Sequence, residues 1–155
     1  MYKHILVAID GSETSELALE TALQAAHDNN AELHPLYVVD NPAMSYDVPG
    51  YDPSVLRNAM LEEGKRVTDE ALAKMHLRNV TGTAQIDEVD LTFDSIAKRI
   101  LIAADAMKAD LVVMGTHGRR GFQRLVLGSV AERFVRMAHC PVLLVPGRAD
   151  DEPHA

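Results

Sequence analysis

The sequence predicts an α/β fold, an open, doubly wound, five-stranded parallel sheet with helices on both faces. Three observations predict it. The chain has 155 residues, a length that favours one domain. Its apolar runs are short and continuous, which is typical of strands buried on both faces. Segments with helical periodicity separate these runs, and strands that alternate with helices form parallel sheets.

Nine elements follow from these patterns. The run HILVAI ends at Asp10-Gly11, which marks the end of the first strand. The next segment carries Leu19, Leu23 and Ala26 at the spacing of one helix face. In chain order we predict a strand at 4–9, a helix at 13–29, a strand at 32–40, a helix at 53–78, a strand at 82–89, a helix at 93–108, a strand at 111–115, a helix at 129–138 and a strand at 141–146.

The connecting segments have signals of their own. Prolines make 40–53 a loop, either a lid or partner surface or a plain stiffened connection. Asp52 and Pro53 are typical of an N-cap and a first helical residue. We expect one domain over 1–147 and a flexible polar tail over 148–155.

Composition narrows the class of protein. No apolar run approaches the ~20 residues that span a bilayer, and the first residues lack the features of a signal peptide. Cys140 is the only cysteine, so an internal disulfide or a cysteine-based zinc site is excluded. We therefore expect a cytoplasmic protein. Its net charge of −8 argues against nucleic acid or anionic membrane as the main partner.

The charge is unevenly distributed. Residues 115–136 carry a net charge of +4 within this acidic chain, and they are rich in glycine. A local basic patch of this size indicates a small anion as ligand, because a long polyanion would need a larger basic surface.

The same region follows the fourth predicted strand. In an open parallel sheet, ligands bind beyond the carboxyl ends of the strands. Two glycine-bearing turns lie at such ends, at 10–12 and at 115–118. If the first and fourth strands are neighbours, both turns line one crevice. Gly128-Ser129 then opens a helix whose free amides and dipole favour an anion.

Several of these residues have simpler interpretations. Ser129 and Glu132 match a capping box, so Ser129 could cap its helix with or without touching a phosphate. Asp10 could cap the first helix, and His117 could be a turn or phosphate-contact residue and not a base. The chain has neither the G-x-x-x-x-G-K-[ST] loop nor the G-x-G-x-x-G fingerprint, so any nucleotide site is of another kind.

The spacing G-x2-G-x9-G-[ST], formed here by Gly115, Gly118, Gly128 and Ser129, resembles the phosphate motif of the ATP-binding branch of the universal stress protein family. The segments HILVAIDGSETSELAL, VVMGTHG and CPVLLVP also resemble that family, in the same order. The resemblance covers nearly all of 1–147. The chain departs from the family pattern near Asp90, where a glycine is expected, and at Ala131, where a hydroxyl residue sometimes stands.

The resemblance implies an adenine nucleotide alpha hydrolase-like fold with strand order 3-2-1-4-5. It implies ATP as ligand, with Mg²⁺ or Mn²⁺ on the phosphates and not on protein ligands. It also implies a homodimer that forms through the last strand at Val142 to Val145, with a tetramer as the alternative assembly. The predicted nucleotide-binding residues are Asp10, Val39, Met114, Gly115, His117, Gly118, Arg119, Gly128, Ser129 and Val130.

Three functions remain open at this point. The first is a cytoplasmic, nucleotide-dependent regulator or sensor. The second is a regulatory accessory subunit of a membrane transporter. The third is a slow ATPase or phosphotransferase, for which His117 and Asp10 are the nearest candidate residues.

Overall fold

The computed structural model describes residues 1–40, 49–50, 52–90, 94–117 and 127–148. The strands are β1 (His4–Ala8), β2 (Glu32–Val39), β3 (Gln85–Glu88), β4 (Leu111–Gly115) and β5 (Val142–Val145). The helices are α1 (Glu13–Asn29), α2 (Pro53–Leu77), α3 (Ile96–Ala106) and α4 (Ser129–Met137). All nine predicted elements are present. Most of the 40–53 loop, Gly118, Arg119 and most of the tail lie outside the described residues.

The five strands form one parallel sheet in the order β3-β2-β1-β4-β5. This confirms the predicted order. β1 is central and pairs with both β2 and β4, with Val7 opposite Val113. The first and fourth strands are therefore neighbours, as a shared crevice at their carboxyl ends requires.

The sheet has a core on each face. Along β1, Ile5 and Val7 pack against α1 and α2, whereas Leu6 belongs to the core beneath α3 and α4. All three side chains are fully buried. Burial on both faces explains why the strand is continuously apolar. Since side chains alternate along a strand, His4 lies on the same face as Leu6.

The helix starts correct three sequence-based expectations. Ser12, not Asp10, is the N-cap of α1, and its side chain accepts a hydrogen bond from the Ser15 amide. α3 begins at Ile96, after the N-cap Ser95, and not at residue 93. The N-cap of α4 is Gly128, which leaves Ser129 as the first helical residue and not a side-chain cap. The Asp52 cap and Pro53 start of α2 are confirmed.

In the described part of the chain, no helix combines the length and apolar character needed to cross a membrane.

Candidate functional site

Two turns meet at the carboxyl edge at the centre of the sheet. One follows β1 at Asp10, and the other follows β4 at Thr116. The first turn of α1 packs against the end of β4, because a Cβ added to Gly115 would lie 2.6 Å from Thr14 Cγ2. Gly115 therefore allows a close approach between the two turns. Thr14 was not among the predicted site residues. It lies against the end of β4 because β1 and β4 are adjacent strands.

Asp10 shapes the turn after β1. Its Oδ1 accepts a hydrogen bond from the Ser12 amide at 2.9 Å, and its own amide donates to Ser15 Oγ at 2.9 Å. The carboxylate and the backbone of Asp10 are thus both held in place. The residue is half-buried at the edge of the crevice.

The start of α4 is fixed against the turn after β4. The Gly128 amide donates to the Thr116 carbonyl at 2.7 Å. A Cβ on Gly128 would lie 2.8 Å from that same oxygen, so a larger residue would push the helix away. The glycine that the sequence suggested for ligand approach is thus needed for packing within the protein.

This packing presents the first turn of α4 at the carboxyl edge. The first intrahelical bond runs from the Glu132 amide to the Gly128 carbonyl at 2.9 Å. The amides of residues 129–131 precede it and have no acceptor within the helix, as at every helix start. They lie at the positive end of the helix dipole, which favours a bound anion.

The capping box that was the alternative interpretation of Ser129 and Glu132 does not form. The Glu132 carboxylate accepts a hydrogen bond from Arg136 at 2.7 Å, one turn along the helix. Gly128 provides the N-cap conformation, and no side chain caps the helix within the described residues. The Ser129 hydroxyl is therefore not needed to start α4.

His117 lies in the turn after β4. Its Nδ1 is 2.9 Å from Thr116 Oγ1, which orients the ring. Its Nε2 is buried and has no hydrogen-bond partner among the described residues. A buried polar atom without a partner is unfavourable, so this nitrogen favours a ligand or water nearby.

Val39 and Met114 contribute differently from the other predicted site residues. Val39 is fully buried, and its carbonyl accepts the Val89 amide at 2.9 Å. Met114 is buried in the core beneath α3 and α4. Both side chains are committed to packing, so a ligand contact at these positions involves the backbone.

A separate open groove of about 810 Å³ lies between α2 and β3. Both of its basic side chains are paired with acidic ones, Arg57 with Glu88 at 2.9 Å and Lys65 with Asp69 at 3.0 Å. These pairs leave little charge for a small anion. The carboxyl edge of β1 and β4 is the better candidate.

Comparisons with known proteins agree with the fold. The sequence model of the universal stress protein family matches residues 1–146. Universal stress protein MJ0531 of Methanocaldococcus jannaschii is 35% identical over 153 residues, which cover 94% of this chain and 82% of its own. A solved universal stress protein family member from Burkholderia pseudomallei is 46% identical, with a TM-score of 0.79 and coverage of 94% of this chain and 97% of its own. A universal stress protein solved in complex with cAMP is 25% identical, with a TM-score of 0.69 and coverage of 93% and 97%.

Proposed function

Since the chain belongs to the universal stress protein family, we propose that it binds an adenine nucleotide, ATP, at the carboxyl edge of β1 and β4. The observation that carries the proposal is the start of α4. The bond from Gly128 to Thr116 holds the start of α4, with the amides of residues 129–131, against the turn that follows β4, and β4 is the neighbour of β1. The cAMP complex of a relative supports an adenine nucleotide as the ligand.

The site residues have distinct roles in this proposal. Ser129 and the following amides bind the phosphates, together with Gly115, His117 and the motif residue Gly118. Arg119 adds positive charge. The Asp10 carboxylate lies near the ribose, and the Val39 backbone meets the adenine ring. Val130 and Met114 border the ribose and phosphates.

Mg²⁺ or Mn²⁺ accompanies the phosphates in this proposal. The start of α4 offers backbone N–H groups and one hydroxyl, which can donate hydrogen bonds to phosphate oxygens. The metals need oxygen ligands, and the N–H groups provide none. The phosphates and water therefore supply most of the coordination. The metal, when bound, neutralises part of the phosphate charge.

We further propose that the protein is a cytoplasmic regulator or sensor that acts as a homodimer. Regulation by ATP requires that two states of the protein bind it with different affinity. The β5 edge supports self-association, because it is an apolar edge strand on which Leu143 is 39% exposed. Leu143→Glu should yield monomers in size-exclusion chromatography with light scattering. Ile86→Glu, at the opposite edge strand, should leave the assembly unchanged.

Calorimetric titration with Mg²⁺-ATP tests nucleotide binding. Ser129→Ala removes a hydroxyl that caps no helix, so stability should be retained. Loss of a hydrogen bond to a charged group is worth about 1.5–3 kcal/mol, so the affinity should fall roughly tenfold or more.

Ser95→Ala is the matched control, because Ser95 Oγ caps α3 by accepting the Lys98 amide at 3.1 Å. It should lose about 1 kcal/mol of stability and keep ATP affinity. Equal ATP binding by the parent and Ser129→Ala, or no binding by the parent, would contradict the proposal.

Slow ATP hydrolysis is a second candidate function, favoured by His117. Thr116 orients its Nδ1, and the buried Nε2 has no partner in the described parts of the chain. A base held in this way could orient or deprotonate a water. His117→Gln should then abolish phosphate release, whereas ATP should still bind, with the affinity lowered only by the loss of one phosphate contact. Unchanged turnover would exclude His117 as the base.

A further inference from the structure

We propose that His4, Glu32 and His34 form a binding site for a divalent transition metal, with zinc as the best fit, at the amino edge of the sheet. One ligand atom from each residue lies within 4.8 Å of the other two. The site lies at the opposite end of β1 from the proposed nucleotide site. β1 itself, His4–Ala8, spans roughly 13 Å at about 3.3 Å per strand residue, and the nucleotide site lies beyond its far end. The metal site does not depend on nucleotide binding.

Strand register brings the three side chains together. His4 pairs with Glu32 across β1 and β2, and His34 pairs with Leu6. Glu32 and His34 are two residues apart, so they lie on one face of β2, and His4 lies on the same face of β1. The sequence separation hides this arrangement, because the histidines have no local spacing typical of a metal site.

The distances fit a small cation. Glu32 Oε2 lies 3.5 Å from His4 Nδ1 and 3.5 Å from His34 Nε2. Ligand atoms of a tetrahedral zinc, at about 2.0–2.2 Å from the metal, are roughly 3.4 Å apart. The His4 and Glu32 side chains are 42% and 53% exposed. They are therefore free to make the small rotations that complete the coordination.

His34 is already oriented as a ligand. Its Nδ1 lies 3.3 Å from Thr83 Oγ1, and a hydroxyl oxygen can accept the Nδ1 proton. The Nε2 is buried, has no hydrogen-bond partner in the described residues, and faces the Glu32 carboxylate. Ligand histidines commonly hold their second ring nitrogen in this way. In the tautomer that carries its proton on Nδ1, Nε2 has a lone pair beside the Glu32 carboxylate oxygen, and this arrangement favours a cation between them.

The backbone that carries these ligands is held rigidly. The Asp110 carboxylate accepts hydrogen bonds from the amides of Lys3 at 2.8 Å and His4 at 3.1 Å. The Glu32 amide donates to the Lys3 carbonyl at 2.9 Å. Ligands on rigid strands need little reorganisation when a metal binds.

The donor set selects the kind of ion. Two imidazoles and one carboxylate suit zinc and its neighbours, whereas Mg²⁺ and Ca²⁺ prefer oxygen ligands. Three protein ligands leave one position of a tetrahedral zinc open to water.

Titration of the nucleotide-free protein with Zn²⁺ at pH 7.5 tests the site. The parent should bind one equivalent. His34→Gln and the exposed Glu32→Gln should each weaken that binding by at least tenfold. Thr83→Val, which removes only the group that orients His34, should weaken it by roughly 10-fold.

Two other histidine–carboxylate pairs provide matched controls. His27 Nδ1 lies 3.4 Å from Asp28, and His139 Nδ1 lies 3.2 Å from Asp105. His27→Gln and His139→Gln should bind Zn²⁺ like the parent. Parent binding no tighter than that of His34→Gln, or equal losses in the controls, would overturn the proposal. Ser129→Ala should bind Zn²⁺ normally, so the zinc and nucleotide proposals can fail separately.

Discussion

The two edges of the sheet offer opposite chemistry at opposite ends of the same strand. At the carboxyl edge, the start of α4 presents amide donors beside the turn that carries Thr116 and His117. At the amino edge, His4, Glu32 and His34 present lone pairs. One edge suits a phosphate and the other suits a metal ion.

The topology explains this difference. In a parallel α/β sheet every helix begins near the carboxyl ends of the strands and ends near the amino ends. The positive ends of the helix dipoles therefore gather at one edge and the negative ends at the other. A single domain of this kind can hold an anion and a cation without competition between them.

Gly82→Ala should cause the largest loss of unfolding free energy, through distortion of the amino edge of the sheet. Gly82 has φ +140°, and a Cβ there would lie 1.8 Å from the carbonyl oxygen of Leu33, which stands between Glu32 and His34. Strain and overpacking together predict a loss of roughly 2–5 kcal/mol of unfolding free energy. Urea denaturation measures that loss, and Zn²⁺ affinity should fall while ATP affinity holds.

Gly50→Ala is the control for backbone strain alone. Gly50 also has a positive φ, of +83°, but none of the residues that the structure describes lies within 4 Å of an added Cβ. It should lose only about 1–2 kcal/mol. A similar loss in both variants would show that the close contact with Leu33 is unimportant.

Asp94→Ala should cause a smaller loss of unfolding free energy, at the carboxyl edge of the sheet. The Asp94 carboxylate accepts hydrogen bonds from the amides of Asp90 at 2.9 Å and Ser95 at 2.8 Å, and from Arg99. Removing it leaves these donors without their acceptor, so we expect a loss of about 1–3 kcal/mol at pH 7.

The pH dependence of that loss is a sharper test. Burial tends to raise the pKa of Asp94, but the hydrogen bonds from Asp90, Arg99 and Ser95 outweigh it and hold the pKa below its ordinary value. A depressed pKa stabilises the fold above the ordinary aspartate range, and this stability is lost as the pH falls through the folded-state pKa. The difference between parent and Asp94→Ala should shrink below about pH 4. A difference independent of pH would contradict this assignment.

Lys74→Met should have the smallest effect and change neither edge. Lys74 Nζ joins α2 to α1 through Glu16 at 2.7 Å and Glu20 at 3.2 Å. Pairs this exposed contribute up to about 1 kcal/mol and are screened by salt. Thermal melts should show a small difference in Tm between the parent and Lys74→Met at low salt and a smaller difference at high salt. A change in ATP or Zn²⁺ affinity would show that the edges are coupled to this ion pair.

The sequence was sufficient for the elements of the fold, because buried strands and amphipathic helices leave clear periodicities. The caps of α3 and α4 could not be predicted, because local hydrogen bonds determine them. The Ser95 side chain caps the start of α3, and the Thr116 carbonyl holds Gly128 at the start of α4. The S-x-x-E pattern at Ser129 was compatible both with a capping box and with a phosphate contact, and the sequence could not distinguish the two. The adjacency of β1 and β4 came from a family resemblance and not from the residues themselves.

The proposed metal site could not be predicted from the sequence at all. His4 and Glu32 are neighbours only because β1 and β2 pair in one register. A shift of one residue would move Glu32 and His34 to the other face of the sheet. No local spacing in the sequence encodes that register.

One crossed measurement tests the independence of the two edges most directly. Thermal denaturation of the parent, Ser129→Ala and His34→Gln would be followed with Mg²⁺-ATP and, separately, with Zn²⁺. A ligand that binds the folded state at 100 times its Kd stabilises it by about 2.7 kcal/mol. A tenfold loss of affinity about halves this stabilisation. We predict that ATP raises the Tm of the parent and His34→Gln at least about twice as much as that of Ser129→Ala. Zn²⁺ should raise the Tm of the parent and Ser129→Ala at least about twice as much as that of His34→Gln. Loss of both responses in one folded variant, or full responses in all three proteins, would contradict the assignment of two separate sites.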